Sequence, residues 1–188
     1  MQLDDIDRKL GACIRNEREN RGWSLTDLSL RAAVSRAMIN KIERGESSPT
    51  AKLLGKLSGA FGLSMSMLLA RAETTTDLLL RHGDQTLWID PETGYLRRQV
   101  SPHTDMPVDL VEITLPAGKE VPMPASAYSA IRHQLIWVRD GQLTFVEGPV
   151  QHHLDPGDCL RLGQPSDCIF RNDTQQSCTY AVIVLRDV

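Results

Sequence analysis

The sequence predicts a two-part α plus β protein: five short helices in the N-terminal third, then a barrel or sandwich of short strands. Two observations carry this expectation. Apolar residues recur at helical spacing up to Leu69, and beyond Thr86 they cluster in runs of strand length between Gly and Pro residues. The polar stretch Glu73-Thr74-Thr75-Thr76-Asp77 separates the two patterns.

The helices follow in order. Ile6, Leu10 and Ile14 line the first, with Asp4 or Asp5 as its expected cap. Gly22 interrupts. Ser24-Leu25-Thr26-Asp27 has the form of a capping box, with Trp23 and Leu28 placed as a hydrophobic staple over the same helix start. Ser35 caps a third helix, and Val34 and Ile39 repeat the staple spacing. Pro49-Thr50 opens a fourth, striped by Leu53, Leu54, Leu57 and Phe61 and closed by Gly62; Ser64 begins a short fifth. Beyond the linker, strands are expected at residues 86–89, 108–115 and 179–185. Residues 135–139 and 142–146 flank Asp140-Gly141, which predicts a two-residue hairpin, and Asp155-Pro156-Gly157-Asp158 marks another tight turn.

Charge divides along the same line. Residues 1–73 hold 12 Lys+Arg against 9 Asp+Glu, and residues 74–188 hold 9 against 15, so a mildly basic head precedes an acidic body. No apolar run approaches the roughly 18 residues of a membrane span, and MQLDDIDRKL is acidic and helical rather than signal-like. Cys13, Cys159, Cys168 and Cys178 show no paired spacing, so neither a disulfide nor a zinc site is predicted. A reduced cytoplasmic protein without a membrane partner is the expectation.

The second and third helices are joined by a very tight turn, which lets the N-terminal end of the third protrude into a DNA major groove. Val34, Ile39 and Ile42 supply its buried stripe, leaving Arg36, Ala37, Asn40 and Lys41 outward. Those side chains suit base edges: Arg reads guanine, Asn reads adenine, and Ala accepts a thymine methyl. Arg44 and the Ser47-Ser48 pair suit phosphates.

The segment Arg21 to Leu28, then Val34-Ser35, then Asn40 to Thr50 closely resembles the Xre/Cro-repressor-like helix-turn-helix family over about residues 7–70. The resemblance implies a five-helix lambda-repressor-like DNA-binding domain over residues 1–72. Ser24, Thr26, Ser35, Arg36, Ala37, Asn40, Lys41, Arg44 and Ser47 would then face a double-stranded operator. Two positions depart from the family. Ala33 stands where Gly is usual, at a cost of about 1 kcal/mol for a left-handed conformation. Leu30 stands where a polar residue is usual, and so is expected against a partner surface.

Residues 105–188 resemble a cupin domain, a double-stranded β-helix or jelly-roll barrel, preceded by a linker and N-terminal strands over residues 73–104. Leu115 to Gly118, Gln134 to Gly141, Leu154 to Asp158 and Pro165 to Asn172 carry the likeness. Metal-binding cupins place three His and one Glu inside the barrel. The corresponding positions here are Pro124, Ser126, Gln134 and Cys168, so neither a metal nor any other cofactor is expected. His152 and His153 are adjacent on a strand and should point to opposite faces. His133 should face away from Gln134, and His103 lies beside Pro102. A Cys168 or Cys159 nucleophile lacks a base in the pattern, so both are expected to be structural. Ser126, Tyr128, Gln134, Ile136 and Cys168 remain as candidates to line a small-molecule pocket.

The combination predicts a DNA-binding transcriptional regulator, a homodimer through its barrel, responsive to a small-molecule effector, with residues 73–77 as hinge. The alternatives are a constitutive DNA-binding dimer whose barrel only dimerises, and a cupin enzyme fused to a DNA-binding head.

Overall fold

Four of the five helices begin where a hydroxyl closes the first turn. Ser24, Ser35, Thr50 and Ser64 all have extended backbone, and their side chains accept from the N–H groups of Asp27, Met38, Leu53 and Met67. These caps start α2 (Leu25–Ala32), α3 (Arg36–Glu43), α4 (Ala51–Phe61) and α5 (Met65–Ala70), after the longer α1 (Leu3–Asn20). The computed structural model describes residues 3–72, 78–102 and 107–186, with side chains from Ile6 onward. The expected cap at Asp4 or Asp5, the hinge at residues 73–77 and His103 lie outside the described side chains.

The α2–α3 turn is as tight as the sequence predicts. Ala33 adopts φ 49° and ψ 47°, the left-handed conformation that usually selects Gly. Neighbours hold it there: Val34 N–H donates to Ser29 O at 3.3 Å, the Ser29 hydroxyl to Val34 O at 2.7 Å, and Lys56 to Ala33 O at 3.1 Å. Helix α3 is pressed against α1 at Gly11, where an added Cβ would lie 2.2 Å from Ile42 O. Only a residue without a side chain permits that approach.

The second half is a two-sheet antiparallel barrel. Its strands are β1 (Leu87–Ile89), β2 (Leu96–Gln99), β3 (Val108–Leu115), β4 (Glu120–Met123), β5 (Ile131–Asp140), β6 (Leu143–Glu147), β7 (Val150–Leu154), β8 (Cys159–Arg161), β9 (Cys168–Arg171) and β10 (Cys178–Arg186). Six pair in the order β1-β2-β3-β10-β5-β8, and four in the order β4-β9-β6-β7. From β3 onward the chain alternates between the sheets except at β6–β7, which is the jelly-roll arrangement of a cupin barrel.

That topology corrects one expectation. The strands flanking Asp140-Gly141 do not form a hairpin, because β5 pairs with β10 and β8 while β6 pairs with β7 and β9. Gly141, at φ 73°, turns a corner between sheets beneath the start of β10, where a Cβ would lie 2.6 Å from Ser177 O. The two-residue hairpin is instead at Gly148-Pro149, between β6 and β7.

The head rests directly on the barrel. Helix α4 lies across a short 3-10 turn, Ala125–Tyr128, which follows β4. Its Gly55 and Gly59 face that turn: a Cβ would lie 3.1 Å from the Ala127 Cβ at Gly55, and 2.2 Å from Ser126 O at Gly59. Two polar ties flank the seam. Asp90, buried between β1 and β2, accepts the N–H of Ala51 at the start of α4 at 2.7 Å, and Arg97 on β2 donates to the Ser66 hydroxyl on α5. One buried apolar cluster runs through both halves. Gly59→Ala is therefore expected to force head and barrel apart, with a loss of about 1–3 kcal/mol. Calorimetry should show the wild-type transition broadening or splitting into two, and an unchanged single transition would contradict the seam.

Candidate DNA-binding face and barrel cavity

Helix α3 owes its position to a partly buried ion pair that its spacing in sequence does not announce. Arg18 on α1 donates to both carboxylate oxygens of Glu43 at 2.7 and 2.8 Å, and a further nitrogen donates to Trp23 O at 2.9 Å. One guanidinium thereby joins α1, the α1–α2 turn and the C-terminal end of α3 with two-pronged geometry. On the inner side of α3, Val34, Ile39 and Ile42 are buried as predicted.

The outer side carries the predicted set. Ser35, Arg36, Ala37, Asn40 and Lys41 are all exposed, and none is acidic. Ser24 and Thr26 are exposed at the start of α2, and Ser47 is half-buried beyond α3. The Ser24 and Ser35 hydroxyls already close their own helices. Asp27 is engaged by Ser24, whose hydroxyl and backbone N–H hold its carboxyl below the ordinary value. Arg44 is exposed but paired with Glu46 at 2.7 Å, so a phosphate there must compete with a surface ion pair of small worth. Leu30 is 78% exposed.

The barrel opens into a cleft of about 560 Å³. Of the candidate pocket residues, Tyr128, Gln134 and Cys168 line it. Ser126 and Ile136 lie outside it. Ser126 is carried by the 3-10 turn, where it is exposed beside α4, and Ile136 is fully buried between Val182 and Leu160 of the neighbouring strands. Arg132, His133 and Arg161 border the cleft against the single carboxylate of Glu147, which accepts from the Ser166 hydroxyl at 3.0 Å. His133 is exposed at this border. A smaller chamber of about 50 Å³ shares Tyr128, Ile131 and Gln134 with the cleft and extends to Ser64, Ser66 and Arg97. Sequence reasoning missed Arg97. Its signal was the alternation of Leu96-Arg97-Arg98-Gln99, whose second and fourth residues turn inward.

The residues at the usual cupin ligand positions do not fit a metal. Pro124 and Ser126 belong to the seam with the head, and Gln134 is neutral. The Cys168 sulfur lies 3.1 Å from the Tyr128 hydroxyl. Among the described residues, no three His, Cys, Asp or Glu side chains converge. His152 turns inward and stacks on Phe145 at 6.5 Å, while His153 is exposed beside Thr144 and Gln151. Burial pushes the Cys168 thiol up to about 11, against the pull of the Tyr128 hydrogen bond, so it stays protonated near neutral pH. Cys13 and Cys178 are pushed to about 11 by the same cause.

A capped tri-helical reading unit with an exposed, cation-bearing third helix, docked on a jelly-roll barrel, defines a helix-turn-helix protein with a cupin domain. Comparison with known proteins agrees at the head, where residues 14–68 match the helix-turn-helix family HTH_3. Over 182 residues, 97% of each chain, the sequence is 25% identical to the HTH-type transcriptional regulator SutR of Escherichia coli K12. The fold is shared with an HTH_3 family transcriptional regulator from Vibrio cholerae, at TM-score 0.80 and 23% identity over the whole of both chains. Among the described residues, no helix is long and apolar enough to cross a membrane.

The thiol environments lead to a direct expectation. Cys159 is exposed, while the other three are buried with raised values. Brief treatment of the native protein with a maleimide at neutral pH should add one label, at Cys159, and denaturation should release four sites. Early labelling of Cys168 would mean that its thiol is open to the cleft and ionised.

Proposed function

We propose that this chain is a sequence-specific DNA-binding transcriptional regulator that acts in the cytoplasm as a homodimer. Its barrel joins the two copies and holds a small-molecule effector, and it catalyses no reaction. The observation that carries the DNA-binding role is the outer face of α3. Arg36, Asn40 and Lys41 stand exposed there with no carboxylate among them, on a helix fixed from behind by Arg18 and Glu43. The similarity to SutR along nearly the full length of both chains supports the regulatory role.

A recognition helix of eight residues spans about one half-site, so two copies are needed to read a near-palindromic operator. Trp137, 45% exposed on the outer face of β5, is available for barrel-to-barrel contact. The cleft, lined by polar and charged side chains over an apolar floor that includes Phe145 and Ile131, suits a small polar ligand. Such a ligand acts on the heads only through its differential affinity for two arrangements of them.

Selection of bound duplexes followed by fluorescence anisotropy tests the assignment. Arg36→Ala should weaken the selected site by about 1–3 kcal/mol and relax preference at one base pair. Lys41→Ala should weaken all duplexes more evenly and reduce the salt slope by about 1. Unchanged affinity and preference in both variants would remove α3 as the reading element. Sedimentation of the free protein at assay concentration should give the mass of two chains.

A further inference from the structure

The inner face of the six-stranded sheet carries a cation where a core is normally apolar. Strand register places Trp88, Arg97, Ile113, Tyr180 and Val138 in one row across the sheet, so Arg97 turns into the barrel. It is only 7% exposed. One end of its guanidinium donates to Ser66 of the head, but its Nε–H has no partner. Among the described residues, no carboxylate stands within ion-pair distance of it. Gln134, two rows away on β5, is equally buried and its side-chain oxygen is unpartnered. The hydroxyl of Tyr180, wholly buried beside Phe170, also lacks a partner.

Arg97 and Gln134 border the same chamber of about 50 Å³, closed on one side by Ser64, Met65 and Ser66 of the head. Leaving a buried polar group unpaired costs about 1–3 kcal/mol, and more for a charge. Charge and size narrow what would relieve that cost. A single guanidinium balances a single negative charge, and the chamber is far smaller than the cleft it adjoins. A carboxylate matches that charge and is smaller than a dianionic phosphate. The wider cleft shares Gln134 with the chamber, and Arg132 and Arg161 at its border draw in anions.

We infer that the chamber binds the carboxylate of a small organic acid, anchored on Arg97, while the Gln134 amide takes a hydroxyl of the same molecule. This rests on the effector reading above and gives that effector its chemical class. The remainder of the acid extends into the cleft. Because Arg97 also holds Ser66, the ligand competes with the head for the guanidinium, and its binding is felt directly in α5. No intermediary is required between the cavity and the DNA-binding domain.

Calorimetric titration of the full chain without DNA, using lactate, acetate, lactamide and inorganic phosphate as probes, tests this. Lactate should bind saturably, and lactamide, which differs by the loss of charge, about tenfold or more weakly. Gln134→Leu should weaken lactate more than acetate. Arg97→Met should abolish lactate binding while far-UV dichroism is retained. Should that variant fail to fold, the comparison of lactate with lactamide in the wild type still decides. Ser66→Ala, which removes the competing acceptor, should tighten lactate; an unchanged affinity would overturn the link to the head. Equal binding of lactate and lactamide, tighter binding of phosphate, or no binding of either carboxylate would overturn the site. Operator binding is measured separately, so failure here leaves the DNA-binding assignment standing, and the reverse also holds.

Discussion

The close approach of α4 to the barrel is the constraint on which the rest of the molecule depends. Gly55 and Gly59 are one helical turn apart, and both present bare backbone to the 3-10 turn that follows β4. At Gly59 the separation leaves no room for even a methyl group. Dispersion forces act at full strength only at such contact distances, so this seam lets the apolar cores of the head and barrel merge into one. Asp90 completes it by accepting the first N–H of α4 from across the boundary, while also accepting from Glu92 and Thr93 in its own turn.

Everything that faces outward is set by that arrangement. With α4 fixed, Lys56 reaches back to Ala33 O and helps hold the left-handed residue between α2 and α3. Arg18 and Glu43 then fix α3 against α1, where Gly11 allows the two helices to touch. A second network lies nearby: the buried Glu17 is gripped by the more exposed Arg21 and Arg71. Burial opposes ionisation of Glu17, but the hydrogen bonds from Arg71 and Arg21 prevail and hold its carboxyl below the ordinary value. Because its folded value is depressed, the stability it contributes is present above the ordinary carboxylate range and is lost as pH falls through the folded value. Helix α3, the α2–α3 turn and the barrel are therefore linked by a continuous chain of contacts.

The barrel interior differs from that of a metal-binding cupin in the kind of polarity it keeps. At the ligand positions stand a proline, a serine, a neutral amide and a protonated thiol. Of these Gln134 is buried with an unpartnered oxygen, and further polarity lies elsewhere on the same sheet, in Arg97 and Tyr180, which are buried and incompletely paired. A decayed metal site filled in by packing would be expected to become apolar, since unpaired polar groups are costly to bury. The cation that the core retains is the feature to which the proposed ligand answers.

Much of the head was determined by the sequence alone, because its signals are local. A cap acts on the N–H three residues later, and a staple spans one turn. The starts at Ser24, Ser35, Thr50 and Ser64, the stop at Gly62, and the outward set Arg36, Ala37, Asn40 and Lys41 could therefore be read directly. The strand-rich character of the second half was equally legible. Tertiary structure decided what depended on distant partners. Asp140-Gly141 looks like a hairpin until β5 and β6 are drawn into different sheets by β10 and β9. Ser126 counts as a barrel residue until the 3-10 turn presents it to α4, and Arg97 becomes a cavity residue only when β2 joins the sheet. Local hydrogen bonds are encoded within a few residues, whereas the contents of a cavity depend on which strands meet around it.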